Sequence, residues 1–245
     1  ALMEKNSTEL TTLVIEGLPA KIDTLTAYIK DEYYALCPLY NFYFTRDASA
    51  SIGEDVLICK MANQVRVRES MIMEAIFKCP QLFECEMINA NDYSHEKVGE
   101  GGMAGSQINA GLTVEGGDVL VVNDHILLVG NGLRTSTQGI DMLISRFCND
   151  KKGGEKYILV QELPGNVESF IHLDMVFTML DRDSCLIYEP LILGDNEYRT
   201  VLITIDNGRV KSIKSVANII SALRRLGVDM KPVICGGDDE WNEER

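Results

Sequence analysis

The residues with most chemical potential are His172 and Asp174, two apart in the apolar stretch "ESFIHLDMVFTML". Both are costly to desolvate without a partner, so a buried segment that carries both must use them. Acids occur in similar surroundings twice more, as Asp47 in "FTRD" and as Glu115 with Asp118 in "VEGGD". Several carboxylates around one space destabilise one another unless a cation joins them. If these stretches meet, they point to recognition of a positively charged ligand or a metal. On a strand, His172 and Asp174 at i and i+2 would share one face and could share a metal. The chain has only three histidines, however. His125 falls in an expected hairpin turn and His95 in a polar loop, so neither is a natural co-ligand.

The elements that must carry these residues come as a repeat. "FYFTRDASASIGEDVLICKM" reads as two strands about a Gly-Glu-Asp turn, "VRVRESMIMEAIFKC" has helical spacing, and "LFECEMI" returns as a strand. The same order follows in "LTVEGGDVLVV", a turn at Asn123 and Asp124, "HILLVG", a helix from Ser136 and the strand "KYILVQEL". A third unit runs "SFIHLDMVFTML", a turn in "DRD", "SCLIYEPLIL", a long helix through "VKSIKSVANIISALRRLG" stopped by Gly227, and the strand "KPVICG". The expected fold is therefore α/β, part of a ββαβ-repeat propeller with about three consecutive modules. Its boundaries fall at 38–95, 111–165 and 166–245, with a helical segment at 1–37 and a glycine-rich loop at 96–110.

A ββαβ unit leaves one face uncovered and needs neighbours to bury it. Units set around an axis bring equivalent positions to a shared centre. Each unit has an acid in or just after its first strand, so the three sets should converge. A lone acid beside a turn is ordinarily a solvated cap; three at matching places in three repeats are not explained that way.

Composition narrows the partners. The 245 residues carry 23 Lys and Arg against 37 Asp and Glu, a formal net charge of −14, which disfavours nucleic acid and anionic membranes. No apolar run reaches bilayer length and "ALMEKNSTEL" lacks the order of a secretion signal. These features are read as a cytoplasmic protein. The seven cysteines have no CxxC spacing and stand in apolar surroundings, as expected of reduced, buried thiols.

Taken together, "PLYNFYFTRDASASIG", "RVRE", "VEGGDVLVVNDHILLVGNGLRTS" and "HLDMVFTMLD" resemble arginine deiminases, members of the guanidino-modifying (pentein) superfamily built as a propeller of five ββαβ modules. The likeness runs from about Pro38 to Asp183, with a looser continuation through "VICGGDD". Residues 1–37 look like the end of the helical insertion these enzymes carry.

The resemblance implies roles. Asp47 and Asp174 would bind the guanidinium of L-arginine by paired, charge-assisted hydrogen bonds. His172 would act as general acid and base, held by Glu115. Arg66 and Arg134 would clamp the substrate α-carboxylate, and Asn41 and Phe44 would contact its amino-acid end and stem. No cofactor or metal is implied. Taken singly, Arg66 could be an exposed helix residue, Phe44 simple core and Asn41 a loop residue.

One part of the pattern is absent. The family's nucleophilic cysteine lies in a glycine-rich stretch near the C-terminus, whereas this sequence ends at "CGGDDEWNEER" and Cys235 matches a position beside the glycines. The expectation is a middle fragment of an arginine deiminase, inactive alone and prone to homo-oligomerise through its open module faces. Alternatives are a non-catalytic arginine-binding or association fragment, and another guanidino-modifying enzyme such as an agmatine deiminase or an amidinotransferase. Met175 and Ala48 depart from the threonine and proline usual in the family. The insertion "SHEKVGEGGMAGSQINAG" reads as a mobile loop, placed over the site.

Overall fold

The fold is seen in a computed structural model, which describes residues 4–30, 33–93, 111–149, 153–165 and 168–235. The chain opens with a helix, α1 (Ser7–Glu16), capped by Asn6 and with no buried residue. It continues through β1 (Leu18–Pro19), the short α2 (Leu25–Ile29) and β2 (Tyr34–Leu36), which pairs antiparallel to β1.

Three repeats of one pattern follow. The first has a helical turn α3 (Thr45–Ala48), the hairpin β3 (Ser49–Ile52) and β4 (Asp55–Ile58), helix α4 (Val67–Phe77), and β5 (Glu86–Asn89) parallel to β4. The second has a 3-10 turn (Gly116–Asp118), the hairpin β6 (Val119–Asn123) and β7 (Ile126–Asn131), helix α5 (Thr137–Cys148), and β8 (Lys156–Glu162) parallel to β7. Ser136 caps α5 by accepting from the Gly139 N–H, as expected of a Ser at that boundary. The third has a 3-10 turn (Leu173–Met175), the hairpin β9 (Phe177–Asp181) and β10 (Ser184–Ile187), and the short α6 (Glu189–Ile192). An inserted hairpin, β11 (Thr200–Asp206) and β12 (Arg209–Val216), then leads to α7 (Ile219–Arg225) and β13 (Lys231–Ile234), parallel to β10.

The inserted hairpin corrects the long helix expected through "VKSIKSVANIISALRRLG": only its last part, α7, is helical. Strand β11 pairs antiparallel with β8 of the second module, giving a five-stranded sheet ordered β12-β11-β8-β7-β6. The third module thus reinforces the second. Gly227, at φ 85°, ends α7 as expected.

Both faces of that central sheet are covered. Leu127, Val129, Ile158 and Ile203 pack with α5 residues Met142 and Leu143 and with Leu57 and Ala50 of the first module. Leu128 and Leu159, with side chains on the other face, join Phe177, Ile187, Ile219 and Leu223 of the third. This two-sided burial explains why "ILLVG" reads as an unbroken apolar run instead of an alternation. The two cores hold three modules in one register, and therefore fix their first turns relative to one another.

A second correction concerns those turns. The acids stand on helical turns immediately before the first strand of each module, not inside the strands: Asp47 in α3, Asp118 in the turn before β6, and Asp174 in the turn before β9. His172 is the extended residue that precedes the last of these. A third concerns the cysteines. All seven are free, but only Cys59 and Cys185 are buried, while Cys37 and Cys235 are exposed. The glycine-rich insertion lies almost wholly outside the described residues.

Candidate active site

The three pre-strand turns pack on one another, and the packing is so close that it demands glycine. A Cβ on Gly116 would lie 1.9 Å from the carbonyl oxygen of Arg46, and one on Gly117 would lie 2.7 Å from Cγ of His172. The "GG" of "VEGGD" therefore lets the second module's turn touch the first module on one side and the His172 ring on the other. Asp118, wholly buried, accepts through Oδ1 from the Leu173 N–H at 2.9 Å and ties the third module's turn in place.

This contact brings His172, Glu115 and Asp47 together. Nε2 of His172 is 3.0 Å from Oε2 of Glu115, and its Nδ1 is 3.7 Å from Oδ1 of Asp47. Glu115 is fully buried and also accepts from the Ala62 N–H at 2.9 Å. Burial would raise the Glu115 pKa, yet the His172 bond, the Ala62 N–H and the Arg134 charge bring it below the usual range. Burial would lower that of His172; the bond to Glu115 and the charges of Asp118, Asp47 and Glu115 raise it instead. The pair is thus biased toward imidazolium and carboxylate. Asp118, desolvated behind them, is pushed up to about 7.

Arg66 lies within the same cluster. It comes from the 3-10 turn Gln64–Arg66 that leads into α4, and only 5% of it is exposed. Its Nε and Nη2 bond Glu69, its Nη1 bonds Oδ2 of Asp47 at 2.8 Å, and Nη2 also reaches the Asn41 carbonyl at 3.4 Å. Oε2 of Glu115 is 3.8 Å from Nη1. The carboxylates therefore enclose a guanidinium from the protein itself. Glu69, 1% exposed, was missed in the sequence. Its position three residues after Arg66 in "RVRE" was the available signal.

The other expected residues surround this centre. Arg134, between β7 and α5, is half-buried; its Nη1 is 3.6 Å from Oε1 of Glu115 and has no hydrogen-bond partner. Asp174 is half-buried, and burial, followed by the Asp47 charge among the raising causes, lifts its pKa although His172 and Arg46 oppose the rise. Asn41 is half-buried, whereas Phe44 is exposed and its ring rests on Tyr43.

Ligand atoms of Asp47, Glu115 and His172 all lie within 4.8 Å of one another, a spacing that can hold a metal. That group differs from the pair His172 and Asp174 considered from the sequence, because a turn does not give i and i+2 one face. The Arg66 charge already meets two of the three members, so a cation there would compete with it. A separate cavity lies at the far ends of the strands. There Asp55, Glu86, Asp124, His125 and Arg146 line a cavity of about 410 Å³, with Arg146 paired to Asp55 and Glu86.

Among the seven cysteines, Cys59 and Cys185 are buried. Cys59 is the one whose thiol feels Glu115 and Asp47, and burial followed by those two charges drives its pKa far upward. A thiol so placed stays protonated.

The arginine deiminase family model matches residues 6–245. Arginine deiminases of Streptococcus equi subsp. zooepidemicus and Staphylococcus epidermidis are 31% and 30% identical over 99% and 93% of this chain. The chain spans 57% and 54% of their lengths. Among solved structures, a dimethylarginine dimethylaminohydrolase from Pseudomonas aeruginosa aligns over 90% of this chain and 88% of its own, at 16% identity and a TM-score of 0.44. The N-terminal domain of an arginine dihydrolase from Cyanobacteria aligns over 87% and 62%, at 18% and 0.49. Asp47, Arg66, Glu115, Arg134, His172 and Asp174 all fall inside the matched span, and on that match the chain belongs to the arginine deiminase family.

Proposed function

We propose that this chain carries the guanidinium-binding and acid–base half of a hydrolase that converts L-arginine and water into L-citrulline and ammonia. The observation that supports the reading best is the buried cluster of Asp47, Glu69 and Glu115 around a guanidinium, with His172 bonded to one of those acids. Arg66 takes Oδ2 of Asp47, so a substrate guanidinium would use Oδ1 of Asp47 and the carboxylate of Asp174.

Asp47 and Asp174 take the substrate guanidinium between the first and third modules. A thiolate adds to the guanidinium carbon, the C–N bond breaks, and the departing amine takes a proton from the His172 imidazolium. His172, now neutral, removes a proton from water as that water adds to the thiouronium carbon. The C–S bond then breaks and releases citrulline and the thiolate. Glu115 holds the ring oriented and favours its charged form. Arg66 and Arg134 meet the substrate carboxylate, Arg134 from a half-buried position beside Oε1 of Glu115, and Asn41 and Phe44 border the amino-acid end and stem. Cys59, buried with its thiol held protonated, does not supply the thiolate; the reading places the thiolate in the part of the relatives' length that this chain does not span. This reading places the reaction in the cytoplasm and needs neither metal nor cofactor.

Mass spectrometry of the chain with L-arginine tests the division of labour. The expected outcome is no citrulline and no adduct on any cysteine. Turnover by this chain alone would overturn the assignment of the nucleophile.

A further inference from the structure

The cavity of about 410 Å³ between the first two modules, at the strand ends away from His172, has a volume within the range of about 300 to 1,000 Å³ usual for small-molecule sites. The first module brings to it the β3–β4 turn with Glu86 and Ile88 of β5; the second brings the β6–β7 turn, the end of α5 and the start of β8. The charges are sorted by depth. Lys156 is 6% exposed, with its Nζ 5.3 Å from the centroid of the Phe147 ring, whereas Glu54, Glu86 and Asp124 are exposed at the rim. Arg146 stands between them. Its Nη2 bonds Oδ2 of Asp55 at 2.7 Å and Oε2 of Glu86 at 3.1 Å, while its Nε and Nη1 have no partner among the described residues.

Two features bear on what the cavity would accept. Burial first, and then the Arg146 charge, pull the Lys156 pKa below its ordinary value, although Asp55 and Asp124 oppose the shift. A carboxylate set against both cations would offset that repulsion. The wall nevertheless carries four carboxylates, Glu54, Asp55, Glu86 and Asp124, against these two cations, which disfavours a ligand that is only an anion.

We propose that this cavity is a second ligand site and that it takes a basic α-amino acid. The ligand carboxylate meets Nε and Nη1 of Arg146 through charge-assisted hydrogen bonds, with the Lys156 charge beneath. The aliphatic stem covers Ile52, Ile88 and Val121, and the ammonium groups reach the rim carboxylates of Glu54 and Asp124. None of the residues around His172 takes part, so the inference stands apart from the arginine-hydrolase reading.

The probe is L-lysine, which has no guanidinium, beside cadaverine, which lacks its carboxylate, and L-norleucine, which lacks its side-chain ammonium. NMR follows the δ1-methyl groups of Ile52 and Ile88 and the ring of His172. L-lysine should shift both methyls saturably, and the two analogues should bind at least fivefold more weakly. Unmoved methyls, or shifts at His172 alone, would overturn the proposal. Cadaverine as tight as L-lysine would remove Arg146 from the site, and L-norleucine as tight would remove the acidic rim; either result would overturn it too.

Arg146→Gln also frees Asp55 and Glu86, so its readout is the ratio of the L-lysine and cadaverine affinities. The advantage of L-lysine should disappear, and an unchanged ratio would contradict the proposal. If Arg146→Gln does not fold, the exposed Asp124→Asn takes its place. It should weaken L-lysine and cadaverine by the same factor, threefold or more, and unchanged affinities would overturn the assignment.

Discussion

At the scale of single residues, the chemistry-bearing types were legible and their partners were only partly so. Asp47, Glu115 and His172 stood out because acids recurred at matching places, and the structure brings the three within 4.8 Å. Glu69 is nearly as deeply buried as Glu115, yet a buried acid looks like a solvated one until its neighbours are known. Asp118 makes a testable case. Its folded-state pKa is raised by burial to about 7, above the unfolded value of about 3.9. Such a carboxyl contributes stability fully below the unfolded value, and that contribution is lost as pH rises through about 7. Asp118→Asn keeps an oxygen for the Leu173 N–H and removes the titration. Denaturant unfolding should show the unaltered chain losing a few kcal/mol relative to Asp118→Asn between pH 4 and 8; parallel pH profiles would contradict this.

At the scale of elements, the ββαβ order was readable wherever period and caps agreed, as at Ser136 and α5. It failed where local signals conflicted. "HLDMVFTML" is apolar enough for a strand, but its first half is a turn whose apolar members, Leu173 and Val176, are buried by the neighbouring modules. In "RVKSIKSV" the apolar residues recur every third position, which mimics a helix, because β12 lies at a sheet edge and is largely exposed. The overlooked signal was Asn207-Gly208 between two strand-like runs. Both residues have positive φ, 49° and 73°, as a two-residue hairpin turn requires. Gly208→Val should therefore cost about 1 to 2 kcal/mol, speed amide exchange in β11 and β12, and leave arginine affinity unchanged. Unaltered exchange would show that the turn does not set the hairpin's stability.

At the scale of the whole molecule, the three modules were foreseeable from repetition, while the hairpin that fastens the third to the second was not, since pairing between distant strands leaves no local mark. The outer surfaces are notable for their apolar side chains. Leu25, Tyr28, Ile29, Tyr40, Tyr43, Val65, Leu133, Met175, Ile213, Val233 and Ile234 are all exposed, and every residue of the edge strand β13 is exposed. Apolar surface beside an unpaired edge favours association. Sedimentation of this chain should show a weight-average mass that rises with concentration, and a constant monomer mass at high concentration would count against it.

These scales meet at the proposed guanidinium site, to which the first and third modules would each bring one carboxylate, Asp47 and Asp174. The most direct measurement is calorimetric titration of L-arginine into the chain and into Asp174→Asn, which removes one charge at a half-buried position. A charge-assisted hydrogen bond contributes about 1.5 to 3 kcal/mol. The account predicts saturable binding to the unaltered chain and a loss of roughly tenfold to a hundredfold in the variant. Equal affinities for the two proteins, or no binding to either, would contradict it.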